Sequence, residues 1–138
     1  MSGRKRFRYL RHTGDLSVEV FGRNLVELIS NAVYATASVL HGVRDLKCGT
    51  IRNVDYKFTD EINLMVQILS DVVYYLEVED ILFFRVISAD IRQHIGEFTL
   101  CGHSFTREYT VRNVIKAVTY HGMSIDPSKG KASIIFDI

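Results

Sequence analysis

Three short stretches of this chain group residue types that can do chemistry. His12-Thr13-Gly14-Asp15 sets an imidazole, a hydroxyl and a carboxylate just ahead of an apolar strand pattern. Lys116-Ala117-Val118-Thr119-Tyr120-His121-Gly122 would, as a strand, place Lys116 and Tyr120 on one face and Ala117, Thr119 and His121 on the other. Phe136-Asp137-Ile138 sets a carboxylate one residue from a free α-carboxylate. Carboxylates that close repel unless a cation or an arginine lies between them, and a hard divalent cation takes several such oxygens. Each stretch also has a plainer reading. Asp15 can be a turn residue bonding nearby backbone N–H groups, Lys116 a solvated lysine whose stem covers apolar surface, and Asp137 a solvated chain end.

The elements that must hold these residues are legible from periodicity. Leu16, Val18 and Val20 alternate with Ser17 and Glu19, a half-buried strand that Gly22 ends. Asn24 with Glu27 resembles a capping box, and Leu25, Leu28, Ile29, Ala32, Val33, Thr36, Val39 and Leu40 follow at helical spacing. This predicts a helix over 25–40 with Gly42 as its stop. The stretch 51–58 reads as a strand with Val54, Tyr56 and Phe58 on one face. Thr59 or Asp60 can cap a second long helix whose apolar stripe runs from Ile62 to Leu76 and whose polar stripe holds Asn63, Gln67, Ser70, Asp71 and Tyr74. Strands are expected over 83–89 and 94–100 with a link around Asp90, over most of 110–124, and from Ala132 to Ile138 after a Pro127–Gly130 turn. Arg6 to Leu10 could form a further short strand. The expected class is α+β: a mostly antiparallel sheet with two long amphipathic helices packed on it, one domain over 1–138, with 1–6 a flexible basic arm.

Composition narrows the function. The 138 residues are 47% hydrophobic with one proline, enough for a sizeable core. Seventeen Lys+Arg against sixteen Asp+Glu exclude a polyanion binder by bulk charge, although five of the first eleven residues are basic. The longest apolar run is five residues, Val72 to Leu76, too short to span a membrane, and no secretory signal follows Met1. Cys48 and Cys101 form no CxxC, and two free thiols in a cytoplasmic protein are expected. No P-loop, GxGxxG, GxSxG or HExxH occurs, and the five histidines show no zinc spacing, so the chain does not read as a self-contained enzyme.

The set of motifs resembles the archease family. His12-Thr13-Gly14-Asp15 stands for its His-Thr-Ala-Asp-like motif. Gly22, Leu25, Glu27, Asn31 and Ala32 match Gly-x-x-Leu-x-Glu-x-x-x-Asn-Ala. Lys116 to His121 match Lys-Ala-Val-Thr-Tyr-His in full, and Phe136, Asp137 and Ile138 match the closing Phe-Asp-Ile. Order and spacing hold from about Phe7 to Ile138. Gly14 departs mildly from Ala. Gln67-Ile68-Leu69-Ser70-Asp71 stands where the family tends to show Asp-Trp-Leu-x-Glu: Gln67 carries no charge, and Asp71 is one methylene shorter than Glu.

The resemblance implies an accessory protein rather than a catalyst. Archeases assist the RtcB-type RNA ligase of tRNA splicing, promoting its guanylylation and multiple turnover. By that resemblance a divalent metal, calcium, would be held by Asp15, Asp137 and the Ile138 carboxylate. Asp71 and Lys116 would serve ligase activation, with His12, Tyr120 and His121 supporting the site. The expected partner is the ligase, with tRNA reached indirectly and no membrane involved. Two other readings stand beside it: a chaperone-like modulator of another tRNA-processing enzyme, such as a tRNA methyltransferase, and a stand-alone metal-dependent nuclease or phosphatase. The last lacks a visible base, nucleophile or phosphate loop.

Overall fold

The structure, a computed structural model, describes residues 5–12 and 14–138, with the side chains of Arg11 and His12 outside that description. The proposed basic arm therefore falls partly outside the described residues. Within them, Arg6 is anchored: its carbonyl accepts from Phe21 N at 2.8 Å and its guanidinium lies 4.4 Å from the Tyr34 ring centroid.

Among the described residues seven strands divide between two antiparallel sheets. The first has strands β1 (Phe7–His12), β2 (Asp15–Phe21), β6 (Ala117–Asp126) and β7 (Lys131–Asp137), in the order β1-β2-β7-β6. The second has β3 (Thr50–Lys57), β4 (Ile81–Arg92) and β5 (Ile95–Ser104), in the order β3-β5-β4. Helices α1 (Leu25–Leu40) and α2 (Glu61–Glu79) pack against both sheets, α1 on β2 and β4, α2 on β6 and β4. That explains why α1 is buried nearly all round, with Leu28, Ile29, Ala35, Thr36 and Val39 all inaccessible. The α+β class with two helices on antiparallel sheets is thus borne out, as two sheets rather than one.

Local chemistry sets the element ends. Asn24 Oδ1 accepts from Glu27 N at 2.9 Å and starts α1. Glu27 reaches back to Arg23 N at 2.8 Å, one residue short of a true capping box. Gly42, at φ 101°, closes α1 by donating to the Ala37 carbonyl. Asp60 caps α2 through Asn63 N. Two expected boundaries shift. The strand expected over 110–124 begins only at Ala117, because the segment before it serves α1: Arg112 N donates to the Leu40 carbonyl at 2.7 Å and Asn113 Nδ2 to the Val39 carbonyl at 2.8 Å, satisfying carbonyls the helix end leaves open. The link expected around Asp90 lies at Gln93-His94, since Asp90 pairs with Glu97 and Arg92 with Ile95.

The two cysteines are not free. Cys48 and Cys101 are bonded as a disulfide with their Cα atoms 5.4 Å apart. Gly49 N donates to the Gly102 carbonyl at 3.0 Å, which draws the loop before β3 alongside β5 and brings the two side chains together. Sequence spacing carries no trace of this contact.

Candidate functional site

Sheet register, not sequence proximity, assembles the candidate site. Asp15 is the direct cross-strand partner of Asp137. Asp15 also pairs with His12 on β1, and Asp137 pairs with Ala117 on β6, so one row crosses the whole sheet. Leu16, Val18 and Val20 on β2, and Ala132, Ile134 and Phe136 on β7, all face the core. Period-two alternation therefore puts both aspartates on the outer face. Two further bonds tighten the corner: Ile138 N donates to the Gly14 carbonyl at 3.2 Å, and Lys116 N donates to the Asp137 carbonyl at 2.7 Å. Gly14 sits at φ 80°, which an L side chain rarely adopts, so a glycine in place of the family's Ala eases this turn.

The motif around α1 positions this corner rather than taking part in it. Gly22 has no room for a side chain: an added Cβ would lie 2.9 Å from both Glu27 Cβ and Leu28 N. Asn31 Nδ2 donates to the Phe21 carbonyl at 2.7 Å. Together they lock the end of β2 onto α1 and so fix the strand that carries Asp15.

Like charges directly opposed in a sheet are destabilising. The pair Asp15–Asp137 offers two carboxylates, the oxygen chemistry that a hard cation takes. Among the described residues no group of three or more His, Cys, Asp or Glu side chains is arranged to hold a metal.

The remaining candidates divide between this corner and α2. Lys116 is exposed and tied by its backbone to Asp137. Tyr109 Oη donates to the Leu76 carbonyl at 3.1 Å and to Asp80 at 2.8 Å, while Tyr120 Oη accepts from Asn63 Nδ2 at 2.8 Å. Asp71 lies on α2, and its carboxylate accepts from Tyr56 Oη on β3 at 2.7 Å. Among the described residues no hydrogen bond or ion pair joins Asp71 to Lys116, Asp15 or Asp137. Tyr120 sits against α2, not at the acidic corner. His121 is exposed within the irregular stretch of β6 between Thr119 and Ser124, its carbonyl accepting from Thr119 Oγ1. His12 pairs through its backbone with Asp15, and its side chain, like Thr13, lies outside the described residues. Gln67, at the family's acidic position, is used structurally: its Nε2 donates to the Lys57 carbonyl at 2.9 Å and to Asn63 Oδ1 at 3.1 Å.

The matching family model, that of the Archease protein family, covers residues 7–138. The chain belongs to the archease family. It is 38% identical to the archease of Thermoplasma acidophilum, over 92% of this chain and 89% of that protein. It is 33% identical to that of Thermoplasma volcanium, over 96% of this chain and 98% of that one. Its fold resembles the solution structure of Methanobacterium thermoautotrophicum protein 1598, with a TM-score of 0.79 at 24% identity over 96% of this chain and 99% of that one. It also resembles the crystal structure of a Thermotoga maritima archease described as a possible chaperone, with a TM-score of 0.61 at 17% identity over 95% and 96% of the two chains. In this archease no helix among the described residues is long and apolar enough to cross a membrane.

Sequence reasoning missed Tyr56. It falls in the apolar alternation of β3 and is 8% exposed. A buried tyrosine hydroxyl needs a partner, and burial with the Asp71 hydrogen bond raises its pKa well above the usual tyrosine range. It therefore remains a hydrogen-bond donor to Asp71 at any physiological pH. The signal was a lone hydroxyl among Val54 and Phe58, but its partner could only be read from the packing of α2 on β3.

Proposed function

We propose that this archease activates an RtcB-type RNA ligase in tRNA splicing, in the cytoplasm, promoting guanylylation of the ligase and allowing it to turn over repeatedly. The observation that carries the reading is the Asp15–Asp137 pair, held in register with Lys116 bonded to Asp137. Asp15, Asp137 and the Ile138 carboxylate would hold a divalent cation, calcium by family resemblance, and that cation would supply a coordination position for an oxygen of the partner or its nucleotide. Lys116, whose backbone N bonds Asp137, would supply an ammonium suited to a phosphate. Asp71, fixed by Tyr56, presents a second carboxylate on α2. On this reading the protein has no catalytic cycle of its own, and tRNA is met through the ligase.

The test is formation of the ligase–GMP adduct and repeated RNA joining, measured with and without this protein. Substoichiometric archease should restore many rounds to a ligase that otherwise stalls after one. If only equimolar amounts help, the protein is a stable subunit and not an activator. A chaperone-like action on another tRNA-processing enzyme, such as a tRNA methyltransferase, is favoured by the description of the Thermotoga protein as a possible chaperone. It would show as rescue of that enzyme's solubility with ligase turnover unchanged.

A further inference from the structure

A second charged feature lies at the other end of the same two strands. β2 and β7 carry Asp15 and Asp137 at one end and Phe21 paired with Lys131 at the other, about 20 Å away for seven residues of strand. Beyond that far end is a cleft of ≈580 Å³ lined by Lys5, Phe21, Arg23, Pro127, Ser128 and Lys129, with two glycines between them. Its lining includes three cations and a hydroxyl and no carboxylate.

The cleft is built rather than incidental. Gly22 N donates to the Gly130 carbonyl at 3.1 Å, and a Cβ on Gly130 would lie 2.9 Å from the Gly22 carbonyl oxygen. The loop before α1 and the 3-10 turn Pro127–Lys129 are therefore in backbone contact, and the walls are fixed. Arg23 is held by Glu27 through bonds of 2.6 and 2.9 Å. Asp126 is taken up in capping the turn, accepting from Ser128 Oγ at 2.6 Å and Lys129 N at 3.3 Å. Among the described residues Lys5 and Lys129 form no ion pair. Lys129 feels the Asp126 carboxylate electrostatically without pairing with it, and neither ammonium is tied up in an ion pair among the described residues.

We propose that this cleft binds the phosphate of a nucleotide unit, with Lys5 and Lys129 on the phosphate and Phe21 and Pro127 against the sugar or base. The volume exceeds what a bare phosphate fills, and the two apolar side chains give the remainder of a nucleotide a surface. Separation of the charges supports this: a polyanion is attracted here and repelled from the acidic corner. The same chemistry is offered by a free nucleotide and by an RNA strand, and the probes distinguish them.

The full chain, titrated at low salt with inorganic phosphate, AMP and a single-stranded oligouridylate, is followed by amide chemical shifts. Saturable shifts at Gly22, Arg23, Ser128, Lys129 and Gly130 are expected with AMP and with the oligomer. Lys5→Ala combined with Lys129→Ala should weaken both about tenfold. For the oligomer, loss of two phosphate contacts should flatten the slope of log affinity against log salt by about 1.4. Tighter binding of the oligomer than of AMP assigns the cleft to RNA, and equal binding assigns it to a free nucleotide. No saturable shift at these amides, or an equal loss from Lys47→Ala with Lys57→Ala, overturns the proposal. Because no ligase is present, the outcome is separate from the ligase reading.

Discussion

Asp15 and Asp137 are direct partners across the β2–β7 ladder. Two carboxylates opposed at one corner are unfavourable unless a cation joins them. Bound metal would reverse that sign and tie the second strand of the chain to its last.

In a chain that ends at Ile138, as the proposed site requires, a short C-terminal tag should weaken metal binding far more than an N-terminal tag of equal length, because it turns that carboxylate into an amide. Asp137→Asn should act in the same way. Calorimetric titration of calcium, magnesium and manganese into the three proteins measures this. Equal affinities would remove the terminal carboxylate from the site and leave Asp15 as a turn residue.

Lys116→Ala should cut ligase activation steeply while stability changes by less than about 0.5 kcal/mol, as for an exposed side chain. The backbone bond from Lys116 to Asp137 survives this substitution. Adduct formation and thermal melting, run side by side, decide the matter: parallel loss of both would mean that Lys116 serves only the fold.

Tyr56→Phe should cost about 1 kcal/mol, the net worth of one hydrogen bond. If Asp71 acts in activation through the position Tyr56 gives it, then Tyr56→Phe, Asp71→Asn and the double variant should all reduce activation to a similar level. Additive losses would show that the two residues act independently.

Alkaline unfolding follows from the same tyrosine and from Tyr109. Burial and the Asp80 hydrogen bond push Tyr109 up to about 12, and Tyr56 is shifted in the same direction. A raised folded-state pKa contributes stability that is complete below the ordinary tyrosine value near 10 and is lost as pH rises toward 12. Stability should be flat from neutral pH to about 9.5 and then fall. Ultraviolet titration should show Tyr56 and Tyr109 ionising late, together with loss of structure.

The disulfide gives a chemical count. Unreduced protein, unfolded in denaturant, should show no reactive thiol, and reduced protein two. Cys48→Ser should lower stability by roughly 2–4 kcal/mol under oxidising conditions and much less in reductant. Two reactive thiols without reductant would restore the free-thiol expectation.

Much of this protein is local and so was legible in its sequence. Helix α1 spans the predicted 25–40 because Asn24, the 3.6-residue apolar period and Gly42 act within a few residues of one another. The four motifs could likewise be matched along the chain to the archease family. What only the tertiary structure decided was which distant residues meet. The final strand lies between β2 and β6, not at an edge, and that placement alone sets Asp137 opposite Asp15. The Tyr56–Asp71 bond, the Cys48–Cys101 pairing and the cleft shared by Lys5 and Lys129 have the same origin. Periodicity reports which face of an element is buried, whereas strand order and register depend on the collective packing of all seven strands around two helices.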